Sequence, residues 1–181
     1  MRRAPLFSFV AFSLSVALAT STSSCFDPVH SKAVEELGPE VDGIPRGRFH
    51  RAGQPCTTCH GGSGPGAPPF SVAGTIYQTR SSRNVMQDVA VTITDSSNPP
   101  ETRVRLTNEA GNFYIEEDSW SPTFPLFVSL SHKDVKEPTR MLTRIGGSGG
   151  CAVCHYAALD DPTVGNNSPL HMPPVYMSEP K

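Results

Sequence analysis

Two short stretches hold the residues best suited to chemistry. "QPCTTCHGGSG" runs from Gln54 to Gly64, and "GGCAVCHYA" runs from Gly149 to Ala157. Each sets two cysteines three positions apart with a histidine directly after: Cys56, Cys59 and His60 in the first, Cys151, Cys154 and His155 in the second. Thiols and imidazoles in this arrangement can close disulfides, cage a metal ion, shuttle redox equivalents or anchor a flat cofactor. Two disulfides would use the four cysteines but leave the repeated histidine without a reason. Zinc takes four such donors in a tetrahedron, yet zinc ribbons seldom place a histidine immediately after the second cysteine. A thioredoxin-type dithiol sits at a helix N-terminus in a βαβ setting, and the glycine-rich flanks here do not suggest one.

Covalent porphyrin attachment gives every residue a task. Two thiols at this spacing can join the two vinyl groups of one ring, and the adjacent histidine then lies beneath it with a nitrogen aimed at the iron. Both stretches resemble the attachment motifs of c-type cytochromes. The resemblance implies two covalently bound haem c groups, one on Cys56 and Cys59 with His60 as proximal iron ligand, the other on Cys151 and Cys154 with His155. What fills the far side of each iron separates an electron carrier from a catalyst, because only an open side binds small molecules. His50, in "RFHRAGQPC", is close enough in sequence to loop around a ring, and "SPLHMPPVYM" offers His171 or, as the alternative, Met172. His30 lies near the N-terminal segment and His132 follows a strand-like run, so both rank behind these. A solvated loop histidine is the alternative for His50 and for His171.

The four motif cysteines leave one over, Cys25, and its setting is informative. "MRRAPLFSFVAFSLSVALATSTSSCF" has two arginines, an apolar run from Leu6 to about Ala19 and small hydroxyl residues before the cysteine. This reads as an export signal over residues 1–24, too short and wrongly flanked to span a membrane. Its end resembles the processing site of bacterial lipoproteins, which implies lipid on Cys25 and a periplasmic or outer-membrane-anchored protein. Ordinary signal-peptide cleavage with Cys25 unmodified is the alternative.

The elements that must position the motifs lie between them. Pro and Gly, 18 and 15 residues, make much of the chain loop. "FSVAGTIYQ", "DVAVTITD", "TRVRLTN", "NFYIEE", "TFPLFVSLSH" and "TRMLTRI" are short β-branched and aromatic runs, several with period-two alternation, separated by turn residues. They predict a mainly β fold, a small antiparallel sandwich flanked by loop-rich haem-binding segments. Through "VAGTIY", "VAVTITD" and "TNEAGNFYI", residues 70–132 resemble the carboxypeptidase regulatory-like or prealbumin-like β-sandwich modules of exported proteins, which space or present their neighbours. Residues 25–69 and 133–181 are then the two haem-binding segments, brought to one end so that the porphyrins lie close together.

The formal net charge of −2 becomes about −4 once Arg2 and Arg3 are removed, and haem propionates add to it. Nucleic acid is therefore not expected as a partner. Redox proteins with basic surfaces, other cytochromes or further copies of the chain are, through salt-sensitive steering. The sequence reads as an exported dihaem cytochrome that transfers electrons in the cell envelope. A haem enzyme of peroxidase or nitrite-reducing type, with one open iron, and a disulfide-stapled binding module are the alternatives.

Overall fold

The computed structural model describes residues 27–38, 46–62, 64–80, 84–155, 172 and 174–177. The leader 1–24, Cys25 and His171 lie outside the described residues. The protein is mainly β. Helix α1, Pro28–Glu36, is followed by the single turn α2, Cys56–Cys59, and then by strands β1 Phe70–Thr75, β2 Ala90–Thr94, β3 Thr102–Leu106, β4 Asn112–Glu116, β5 Phe127–His132 and β6 Val135–Arg140. A 3-10 turn at Cys151–Val153 comes last. Among the described residues no helix is long and apolar enough to cross a membrane.

The strands form two antiparallel sheets, β1 with β4 and a four-stranded sheet in the order β3-β2-β5-β6. Alternation drives their pairing, since in β2 Val91 and Ile93 point inward while the residues between them stay half-buried. Val72 and Ile115 from the small sheet meet Val91, Ile93 and Leu130 from the large one in a continuous apolar core. Trp120 closes that core, with the Arg103 guanidinium 5.5 Å from its ring centroid. The expected turn at "TNEAGN" is built by Asn108, whose side-chain oxygen accepts from the Ala110 and Asn112 N–H groups at 2.9 and 3.1 Å.

The last strand departs from the expected pattern. β6 occupies "VKEPTR", with mostly exposed side chains, whereas "TRMLTRI" contributes only its first two residues to it. Ile145 instead exchanges backbone hydrogen bonds with Leu126 at 2.9 and 3.0 Å, as an isolated bridge. An edge strand facing water needs no apolar alternation and tolerates a proline such as Pro138, so periodicity does not reveal it. The sheet consequently runs beyond residue 132, into the segment read from sequence as the second haem-binding one.

Asp95 fastens the β2–β3 connection. Its Oδ1 accepts from Ser97 Oγ at 2.6 Å and from the Glu101 N–H at 2.8 Å, and its Oδ2 accepts from the Thr123 N–H at 3.1 Å. These donors, Ser97 foremost, hold the carboxyl down at about 2 from an ordinary 3.8. A carboxyl whose folded value lies below its unfolded one stabilises the fold above the unfolded value, and that contribution is lost as pH falls through the folded one. The parent chain should therefore unfold at higher denaturant than Asp95→Asn at neutral pH. The gap should narrow below about pH 4 and close near pH 2, and a gap independent of pH in paired titrations would sink this account.

Candidate functional site

Both motifs are laid against β1. In the first, Pro55 starts a single helical turn in which the His60 N–H donates to the Cys56 carbonyl at 2.8 Å. In the second, the His155 N–H donates to the Cys151 carbonyl at 2.9 Å across the 3-10 turn. The two pentapeptides thus share one backbone form: a single turn sets their cysteines on one side and the histidine at its C-terminal end. Their junction is tight. The Ala73 N–H of β1 donates to the Gly149 carbonyl at 3.0 Å, and a Cβ on Gly150 would collide with Thr57 Oγ1. A Cβ on Gly74 would stand 2.8 Å from Cys151 Sγ, so only glycine at this strand position admits the second motif.

His60 is held on several sides. The Pro68 carbonyl accepts from its Nδ1 at 2.9 Å, which places the ring proton on Nδ1 and leaves the Nε2 lone pair available to a metal. The glycine-rich run after the motif makes this possible, because a Cβ on Gly66 would stand 2.8 Å from the imidazole carbons of His60. The ring of Phe70 lies face to face on His60, centroids 4.2 Å apart and planes 6° apart, and Tyr114 stacks on Phe70 at 4.5 Å. His50 faces His60 from another direction at 5.9 Å, with the planes 21° apart.

These residues line one cavity of about 650 Å³, which also takes in Cys56 and Cys59. Its size suits a cofactor. Val34 and Leu37 of α1 and Phe113 of β4 supply apolar wall, and Arg46, Arg48 and Arg51 stand around it, side chains of the kind that pair with carboxylates. Two thiols on one turn, an imidazole nitrogen left for a metal, aromatic walls and cationic groups fit a haem with two propionates.

The sequence-predicted partners are placed unequally. His50 does reach the first motif, but its Nδ1 accepts from the Gly47 N–H at 3.0 Å, so its ring proton is on Nε2. Ligation through Nε2 requires that bond to be exchanged. Met172 comes to the second motif through its backbone, its N–H donating to the Cys154 carbonyl at 3.0 Å, while the residue is exposed. His132 sits in the β5–β6 hairpin, beside Asp134 at 3.6 Å. His30 lines a second cavity of about 510 Å³ with its Nε2 buried and without a hydrogen-bond partner. All four described motif cysteines are free thiols. Among the described residues, no three His, Cys, Asp or Glu side chains gather as a metal cage.

The thiols nearest the junction are held neutral. Burial pushes Cys56 up to about 11 and Cys151 up to about 12, with the neighbouring Cys56 adding to the shift at Cys151. A thiol kept protonated is a poor nucleophile, so in this folded arrangement neither exchanges readily with disulfides.

A buried polar network ties the loop of His50 to the sandwich. The Gly53 N–H donates to Thr75 Oγ1 at 2.8 Å, and Thr75 donates on to Asn112 Oδ1 at 2.6 Å. Asn112 Nδ2 donates in turn to the His50 carbonyl at 3.2 Å. Arg51, in the left-handed region at φ 52°, donates to the Gly38 carbonyl at 2.8 Å and so fastens the same loop to the end of α1. Sequence reasoning missed Phe70, Tyr114, Thr75 and Asn112, because on a strand each passes as an ordinary sheet residue. Asn112→Ala leaves the Thr75 hydroxyl and the His50 carbonyl short of a partner, and should cost roughly 1–3 kcal/mol in denaturant unfolding. A loss below about 0.5 kcal/mol, the level of an ordinary surface substitution, would show that the network does not hold the loop.

No protein-family model, no curated protein and no solved structure matches this chain, so the residues of the site carry the functional reading by themselves.

Proposed function

We propose that the chain is an exported dihaem c-type cytochrome that passes electrons in the cell envelope, tethered by lipid on Cys25. The observation that carries this reading is the pairing of two like-folded motifs on β1, the first of them opening on a cavity that holds His60 and His50 together. Cys56 and Cys59 would hold one haem as thioethers with His60 on its iron, and Cys151, Cys154 and His155 the other. A bound haem supplies an iron that accepts and releases one electron at a time. The chain's own part is to orient His60 through the Pro68 carbonyl, to exclude water with Val34, Leu37 and Phe113, and to offer cationic groups to the propionates. Thr57 abutting Gly150 keeps the two attachment turns adjacent, which suits electron exchange between the haems. Redox proteins with basic surfaces, or further copies of the chain, are the partners that an acidic carrier fits.

One observation favours a second reading, a haem enzyme with an open first iron. The hydrogen bond from Gly47 to His50 Nδ1 holds His50 in the tautomer that does not ligate through Nε2.

Protein made in a host with c-type haem maturation decides between them. Denaturing mass spectrometry should find two covalent haems in the parent chain, and one after either Cys56→Ala/Cys59→Ala or Cys151→Ala/Cys154→Ala. The reduced spectrum should not change under carbon monoxide. A carbon monoxide shift would favour the open-iron enzyme, and a parent chain with no covalent haem would defeat both readings.

A further inference from the structure

The small sheet of the sandwich contributes more to the first motif than a surface to rest on. Phe70 is the first residue of β1, and the register of β1 against β4 slips between Phe70 and Val72. A bulge of this kind turns one side chain out of the regular alternation, and such bulges recur next to functional sites. Val72 points into the core, fully buried. Phe70 turns instead to His60, which it meets twice: its N–H donates to the His60 carbonyl at 2.6 Å, and its ring lies on the imidazole with planes 6° apart. Tyr114, from the facing strand, backs Phe70 at 4.5 Å with planes 19° apart. Three rings, of His60, Phe70 and Tyr114, therefore stand in a row into the sheet. The Nδ1 bond to Pro68 holds one edge of the imidazole, and the broad face-to-face contact with Phe70 supports its plane.

We propose that Phe70, backed by Tyr114, is the positioning residue that sets the plane of the His60 imidazole over the first haem. The proposal rests on the cytochrome reading and adds to it that the β module tunes one of the two haems. On a haem iron, the orientation of a histidine ligand would influence how the d orbitals split, so a His60 ring held in one orientation would give a sharper ferric signal than one free to turn.

The test is electron paramagnetic resonance of the oxidised full chain, with covalent haem counted by mass spectrometry in every sample. The single-haem variant Cys151→Ala/Cys154→Ala identifies the first haem's signal. Phe70→Leu keeps the backbone bond and removes the ring, so the first haem's g-values should shift or broaden while those of the second stay put. Phe70→Tyr restores a flat ring and should return the parental signal. Tyr114→Leu removes only the backing ring and should give a smaller change in the same direction, which keeps the test open should Phe70→Leu accumulate poorly. Parental signals in both leucine variants, with two haems attached, would overturn this proposal alone. Absence of covalent haem from the parent chain would overturn the cytochrome reading and this proposal together.

Discussion

A strand buried on both sides must find partners for all of its backbone polar groups, and β1 meets that constraint by recruiting both motifs. One edge of β1 pairs with β4 through the register Val72 with Ile115 to Thr75 with Asn112. The opposite edge, which would otherwise stand open, is taken by Gly149 and Gly150, the residues that lead into the second motif. Just beyond the strand, the Tyr77 N–H donates to the Val175 carbonyl at 2.8 Å, drawing the C-terminal segment to the same region. The first motif packs on the strand through α2, and its loop is held by Thr75. Four consecutive residues of β1, Val72 to Thr75, are buried as a result. Two stretches that lie some ninety residues apart in the sequence become neighbours because one short strand needs covering on every side.

The two motifs share a backbone form but not an environment. The first has a cavity, a ring row and a polar network around it, all anchored in β1 and β4. The second contacts Gly74 and is met by the Met172 backbone, and the residues after it, 156–171, lie outside the described set. On the dihaem reading proposed above, such unequal surroundings would give the two irons different potentials, because hydrogen bonding and burial around an iron set its preference for the reduced state.

Part of the fold and of the candidate site was legible in the sequence, for reasons that differ by residue. Cys56, Cys59 and His60 declare themselves by type and spacing, as do Cys151, Cys154 and His155. The mainly β class follows from the alternation in runs such as "DVAVTITD", whose inward residues Val91 and Ile93 are fully buried. β6 escaped because a solvent-facing edge strand has no apolar face to alternate. Phe70 and Asn112 escaped for the opposite reason: their residue types suit a strand, and only the bulge and the tertiary network assign them another task. The Gly47 hydrogen bond that sets the tautomer of His50 depends on a loop conformation that no residue pattern encodes.

Helix α1 limits how far Cys25 can stand from the first cavity. Its nine residues begin at Pro28, capped by Asp27, and its far end is fastened by Arg51 to the His50 loop, while Val34 and Leu37 form wall of the first cavity. One residue, Phe26, separates Cys25 from Asp27, which places their Cα atoms at most about 7 Å apart, and the helix itself adds about 14 Å. Any anchor carried on Cys25 therefore stands within about 20 Å of that cavity. On the lipid-tethered reading proposed above, a redox partner would meet the protein in the thin layer beside the membrane, where the encounter is a search over a surface and not through a volume.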